Sequence, residues 1–224
     1  MANAGIIVVT GAAGALGRVV AERLAAEGRQ VAAIGHGGAD RLPASAAHRI
    51  GGVDLADEDA TERAFATLPR GVRGLVNAAG GFAWEKIAGG GGKAIWDRLY
   101  ALNVATALNA SRAVLPLLGR GGAIVNVGAA AAGRAEAGMG AYAAAKSAVL
   151  RLTESLAAEL KGDGIRVNAV LPSIIDTPAN RADMPDADFG KWVTPAELAE
   201  VIAFLLSDKA SAITGAAIPV TGRV

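Results

Sequence analysis

Two features of this sequence have the residue types and spacing for chemistry. Tyr142 and Lys146 stand four residues apart in an amphipathic stretch, so on a helix they share one face. An ammonium beside a phenol favours the phenolate and lowers the phenol pKa toward working pH, which suits the pair to proton transfer. A tyrosine and a lysine at this spacing also arise by chance on ordinary helix faces. The second feature is the run Thr10-Gly11-Ala12-Ala13-Gly14-Ala15-Leu16-Gly17. Glycines here let the backbone turn tightly and approach a pyrophosphate, and a following helix would aim free N–H groups and its positive end at the phosphates. Alone, such a turn is equally a device for close helix packing.

The surrounding pattern supplies elements to position both. Short β-branched runs alternate with longer amphipathic stretches, the signature of βαβ units and a parallel sheet. Strands are expected at residues 6–10, 31–34, 49–54, 75–77, 123–127, 166–171 and 217–220, and helices at 16–27, 58–67, 95–118, 142–160 and 195–206. The first strand is apolar on consecutive residues, as when both faces of a sheet are covered. The expectation is an α/β chain, 1–224 as one domain, with a doubly wound seven-stranded parallel sheet and helices on both faces. Two stretches, 80–92 and 173–193, lack periodicity. Each leaves the carboxyl end of a strand, where open α/β sheets bind ligands. The second is the expected substrate loop.

Composition narrows the function classes. The chain has 224 residues and no cysteine, which excludes disulfides, thiolate metal sites and a cysteine nucleophile. Its histidines are His36 and His48 alone, which argues against a histidine-rich metal site. The net charge is +1 and basic residues are scattered, so neither nucleic acid nor a membrane surface is an expected partner. The apolar runs are too short for a signal peptide or a membrane span. The expectation is a soluble cytoplasmic protein acting on a small molecule.

The glycine spacing resembles that of the short-chain dehydrogenase/reductase family, whose turn reads Thr-Gly-x-x-x-Gly-x-Gly. Further motifs follow in the family's order. Asp54-Leu55 resembles its adenine-contacting pair, and Asn77-Ala78-Ala79-Gly80 its Asn-Ala-Ala-Gly. Asn103 matches an asparagine in the long fourth helix, and Tyr142-Ala143-Ala144-Ala145-Lys146 the catalytic Tyr-x-x-x-Lys. Pro172-Ser173-Ile174-Ile175-Asp176-Thr177 resembles the stretch beside the nicotinamide. The resemblance implies a Rossmann fold, an NAD(P)-dependent oxidoreductase, and assembly as dimers or tetramers through the two long helices. Apolar Val149, Leu152, Leu156 and Leu160 suit such a seam, and suit a sheet-facing side equally. Tyr142 is implied as proton donor, Lys146 as anchor of the nicotinamide ribose, and Asn103 as support of a water-linked proton relay. Cofactor contacts are implied at Gly11, Ala13, Gly14, Leu16, Gly17, Gly35, His36, Asp54, Leu55, Asn77, Ala78, Ala79, Gly80, Val127, Tyr142, Lys146, Pro172, Ile175 and Thr177.

One departure matters. The family's serine stands thirteen residues before the tyrosine, and that position is Ala129. No serine or threonine occurs from 121 to 141. Losing one preorganised donor to a developing oxyanion costs about 3–4 kcal/mol in other enzymes. A conjugated ring, which spreads incoming charge over several atoms, would not need that donor. The quinonoid dihydropteridine reductases of this superfamily lack the serine. The stretches 169–181 and 184–195, Ala79-Gly80-Gly81-Phe82-Ala83 and Gly138-Met139 resemble theirs. Phe82 and Trp84 are then candidate stacking surfaces, as are Phe189 and Trp192. The rival readings are a carbonyl or hydroxyl oxidoreductase using water in place of the serine, and a dinucleotide-binding sensor without catalysis.

The cofactor preference turns on the end of the second strand. An acidic residue there bonds the ribose 2′-hydroxyl in NAD enzymes. That position is Gly35, followed by His36 with Arg41 nearby. No carboxylate repels a 2′-phosphate, which leans toward NADP over NAD.

Overall fold

Ile6–Thr10 (β1) is buried at every residue, and its side chains alternate between two cores. Ile7 and Val9 join one cluster with Val20, Leu24, Leu198, Ile202 and Leu205. Ile6 and Val8 join another with Phe65, Val114 and Leu156. That two-sided burial is why the strand reads as a continuous apolar run. The remaining strands are Gln30–Ile34 (β2), His48–Ile50 (β3), Val72–Asn77 (β4), Leu118–Val127 (β5), Arg166–Pro172 (β6) and Ala217–Val220 (β7). They form one parallel sheet in the order β3-β2-β1-β4-β5-β6-β7. The computed structural model describes residues 5–224.

Helices cover both faces. Ala15–Ala26 (α1) packs with Pro195–Leu206 (α7) on one side. Glu58–Ala66 (α2), Thr106–Val114 (α4) and Gly140–Leu160 (α5) pack on the other. Lys93–Tyr100 (α3) lies against α5, and Pro178–Asp183 (α6) is a short helix in the 173–193 loop. The doubly wound seven-stranded architecture expected from the sequence is present. Strand order reverses between β1 and β4, where Thr10 lies opposite Asn77. The crevice beyond their carboxyl ends is the binding position in such sheets.

Several boundaries differ from expectation: β4 starts at Val72, three residues early, and the larger departures follow. The third strand stops at Ile50 instead of running to Asp54. The chain turns away at Gly51 and Gly52, the latter at φ +73°, and a Cβ at Gly51 would come within 2.3 Å of the Ala39 nitrogen. The expected single helix 95–118 is α3, a π turn over Ala101–Ala105, and α4. It ends at Val114 because Pro116 has no N–H to continue it. Leu118 already belongs to β5, a longer strand than expected.

Leu156 is buried in the cluster of Ile6 and Val8, with Leu152 and Leu160 packed against it, so these three face the sheet. Val149 is buried instead with Leu99 and Val104, toward α3 and the π turn.

Candidate active site

The glycine turn is shaped by its own backbone. Gly11 sits at φ +63°, and a Cβ there would lie 2.6 Å from the Ala79 nitrogen. A Cβ at Gly17 would lie 2.3 Å from the Gly11 oxygen. Thr10 ties the turn to β4, donating to the Val76 carbonyl and accepting from the Ala79 N–H at 3.3 Å. Gly14 caps α1 without a side-chain hydrogen bond, so the helix presents bare N–H groups beside exposed Ala13 and Gly14. Leu16 and Gly17 are buried beneath. This side-chain-free cradle at a helix N-terminus fits a dinucleotide pyrophosphate.

Beside it, Gly35 is buried at the end of β2, with its N–H on the Ile50 carbonyl. His36 is exposed. The Arg41 side chain runs alongside Gly37, and the Arg18 guanidinium donates to the Arg41 carbonyl. Asp54 is exposed, with its carboxylate accepting from the Ala56 N–H at 2.9 Å. Leu55 is buried, and its carbonyl accepts from Asn109 at 3.1 Å.

Asn77 belongs to the platform under the crevice. Its amide donates to Asn126 Oδ1 at 2.9 Å and Ser111 Oγ at 3.0 Å. Asn126 in turn donates to Thr153 Oγ1 at 2.8 Å. This buried relay joins β4, β5, α4 and α5 through the Asn77 amide N–H groups, while Asn77 Oδ1 has no hydrogen-bond partner among the described residues. Its neighbours Ala78, Ala79 and Gly80 carry the backbone past Gly11. Sequence reading missed Ser111, Asn126 and Thr153, because nothing in their spacing shows that four elements converge on them.

Tyr142 and Lys146 do share one face of α5. Lys146 is buried and donates to the Val127 carbonyl at 2.9 Å, with Nζ 5.8 Å from the Tyr142 ring centroid. Burial lowers the Lys146 ammonium to about 8. Burial also pushes the Tyr142 phenol up to about 12. That corrects the expected lowering of the tyrosine: in this geometry desolvation outweighs the ammonium, whose hydrogen bond goes to a carbonyl instead of the hydroxyl. Val127 thus serves by holding Lys146.

Asn103 lies in the π turn and is buried. Its side chain clamps Gly81 through both backbone groups, accepting from the N–H at 3.2 Å and donating to the carbonyl at 3.0 Å. It also donates to the Leu99 carbonyl at 3.0 Å. A Cβ at Gly80 would meet Asn103 Oδ1 at 2.8 Å and Lys146 Nζ at 3.4 Å, so Gly80 threads between the two side chains. Ala129 follows β5 and is buried. Ser147 on α5 donates its hydroxyl to the carbonyl of Ala132, in the turn that follows Ala129, at 2.7 Å. Phe82 stands edge-on to Tyr142, with centroids 4.9 Å apart at 81°.

The 173–193 loop is closed at its base by a bridge between Ile175 and Val193. Pro172 is buried at the end of β6. The Ile175 carbonyl accepts from Asn180 at 2.7 Å, and Thr177 caps α6. Arg181 pairs with Asp176 and lies over Phe189, which tilts onto Trp192 at 4.8 Å. Trp192 is buried, so it is a packing residue and not an open stacking surface. Phe82 and Trp84 remain more than half exposed, at 54% and 55%.

The crevice thus brings together the glycine turn and the helix-borne Tyr/Lys pair, and comparison with known proteins gives the family. The family model described as enoyl-(acyl carrier protein) reductase matches residues 11–222. A 2-(S)-hydroxypropyl-CoM dehydrogenase of Xanthobacter autotrophicus is 34% identical, over 97% of this chain and 95% of that protein. The meso-2,3-butanediol dehydrogenase of Serratia marcescens is 32% identical, over 97% and 93%. The ligand-free aldohexose dehydrogenase of Thermoplasma acidophilum superposes with a TM-score of 0.87 at 28% identity, over 97% and 92%. The chain belongs to the short-chain dehydrogenase/reductase family and is an oxidoreductase. Enzymes of this family use NAD(P) and act on small molecules. No helix among the described residues is long and apolar enough to cross a membrane.

Proposed function

We propose that this oxidoreductase reduces a conjugated ring substrate of the dihydropteridine type, with NADPH preferred over NADH. The observation that carries this reading is the wall at Ala129. It is buried and apolar, and the Ser147 hydroxyl is already bonded to Ala132, in the turn that follows. A single developing oxyanion would have the Tyr142 phenol but no second hydroxyl donor at position 129, whereas a ring that delocalises charge does not need that second donor. Exposed Phe82 and Trp84 supply flat apolar surface beside Tyr142.

The dinucleotide supplies the hydride when bound. It would lie along Gly11, Ala13, Gly14, Leu16 and Gly17, past Ala78, Ala79 and Gly80, toward Pro172, Ile175 and Thr177. Gly35, His36 and Arg41 leave room and positive charge for a 2′-phosphate, with Asp54 and Leu55 toward the adenine. Tyr142, protonated at neutral pH, gives its phenolic proton to the reduced ring. Lys146 orients the nicotinamide ribose. The Asn103 side chain is occupied with Gly81 and Leu99, so in this reading it holds the 80–92 loop in place beside a water-linked relay. The 173–193 loop covers the substrate. Assembly as a homodimer or homotetramer belongs to this reading and rests on family membership.

The second reading, an alcohol or carbonyl oxidoreductase, is favoured by the names of the relatives. One experiment separates the two. Dinucleotide oxidation is followed with quinonoid dihydropterin and with small ketones, for the parent chain and for Ala129→Ser. The proposal expects pterin turnover in the parent, and a gain of roughly 100-fold on ketones, not on the pterin, in Ala129→Ser. Ketone turnover without pterin turnover in the parent overturns it.

A further inference from the structure

The glycine-rich stretch 80–92 has little secondary structure of its own beyond a single turn at Ile87–Gly89. Nevertheless it holds an aromatic ring in a fixed pose against Tyr142. Its fastening explains how. Gly81 is clamped on both backbone groups by Asn103. Three residues later, Trp84 Nε1 donates to the Ala137 carbonyl at 2.8 Å, and the Glu85 N–H donates to the Gly138 carbonyl at 2.9 Å. Phe82 lies between these two anchors.

The second anchor is shaped for an indole. Gly138 has φ +82°, and a Cβ there would sit 2.3 Å from the Trp84 ring. The ring therefore occupies space that only glycine leaves free. Lys86 lies over its other side, 5.6 Å from the centroid. Trp84 is 55% exposed, so it is not held by burial in a core. Its partners are the turn that leads into α5, two residues before the helix carrying Tyr142 begins at Gly140.

We infer that Trp84 is a positioning residue: its latch to the Ala137–Gly138 turn sets Phe82 against Tyr142 and so forms one wall of the substrate site. The inference rests on the reading of Tyr142 as the proton donor, but not on the identity of the substrate. Without the indole bond the loop keeps the Gly81 clamp, the Glu85 N–H bond to Gly138 and the packing of Ala83 on the Leu99–Val104 cluster, but Phe82 loses the neighbouring ring that fixes its pose, and one side of the Tyr142 ring opens to water. The charged groups near this wall include Lys146, facing the ring from α5, Lys86, over Trp84 from the loop, and Glu85 and Glu136, on the backbone of the loop and of the turn that the latch joins.

The test uses Trp84→Phe, which keeps a ring and removes the N–H donor, together with Phe82→Leu and the double variant. Tyr100→Phe provides the background, leaving Tyr142 as the only phenol in the chain. Two quantities are read: the absorbance titration of that phenol, and kcat and KM for each substrate the parent turns over. Each single variant should move the phenol titration from about 12 toward the ordinary value near 10. Each should raise KM about tenfold with a smaller change in kcat, the worth of one hydrogen bond. The double variant should add little to either single one, because Trp84 acts through Phe82. Additive effects, or an unmoved titration in Trp84→Phe, overturn the inference. If the parent reduces no pterin, the substrate reading fails while the titration cycle still decides the latch. Gly138→Val, which fills the indole's space, should reproduce Trp84→Phe and guards against a peculiarity of one variant.

Discussion

Lys146 shows how far a single position departs from its exposed behaviour. Its ammonium is buried, bonded to one carbonyl, and titrates near 8 against an ordinary 10.5. Between those values the unfolded chain holds a proton that the folded chain has released. Stability contributed at this site therefore rises with pH across the window, and the desolvation cost is fully present below pH 8. Lys146→Met should gain stability relative to the parent at pH 7. The advantage should shrink by up to ~3 kcal/mol as pH approaches 10.5. Urea unfolding of both proteins at several pH values measures it, and a difference independent of pH would contradict the burial argument. The raised Tyr142 phenol acts the opposite way, weakening the fold above pH 10, and it is common to both proteins. The pair's shared helix face could be read from spacing alone. Its electrostatics could not, because the carbonyl that takes the lysine hydrogen bond comes from β5.

At the scale of elements, the turn between β1 and α1 is where sequence and structure agree most closely. Gly11 must be glycine for two independent reasons, its φ of +63° and the Ala79 backbone 2.6 Å from any Cβ. Gly11→Ala should therefore cost about 1–3 kcal/mol of stability and weaken dinucleotide binding at least tenfold. Unfolding and fluorescence titration with NADPH check the two effects separately. Intact binding in a destabilised protein would make the glycine structural only. The helix expected at 195–206 has those bounds in the structure, and a capping box of Thr194 and Glu197 starts it. The π turn at Asn103 was not expected. Apolar periodicity continues through 95–118, and the departure is driven by the clamp on Gly81, a contact 22 residues away.

Across the whole molecule, both irregular loops and the glycine turn lie beyond the carboxyl ends of strands, around the reversal between β1 and β4. In the proposed pose a dinucleotide in that crevice would touch elements from most of the chain, so it should stabilise the fold as a unit. Ligand at about 100 times its Kd adds ~2.7 kcal/mol, roughly 5–10 °C in Tm for a domain of this size. We expect that shift with NADPH and a smaller one with NADH at equal concentration, read by thermal unfolding. An NADH shift as large as that of NADPH would remove Gly35 and His36 from any part in the choice.

By itself the sequence determined the sheet-and-helix alternation, the phosphate cradle, the Tyr/Lys face and the absence of a hydroxyl at Ala129. Each of these is local: a period, a glycine requirement, or a residue identity at a fixed spacing. The tertiary structure decided the rest. It paired the Asn77 amide with Asn126 and Ser111, divided the apolar residues of α5 between the sheet and α3, buried Trp192, and brought Phe82 to the Tyr142 ring. These outcomes depend on contacts between residues distant in the chain, where close packing and the need to pair buried polar groups select among arrangements that local pattern leaves equal.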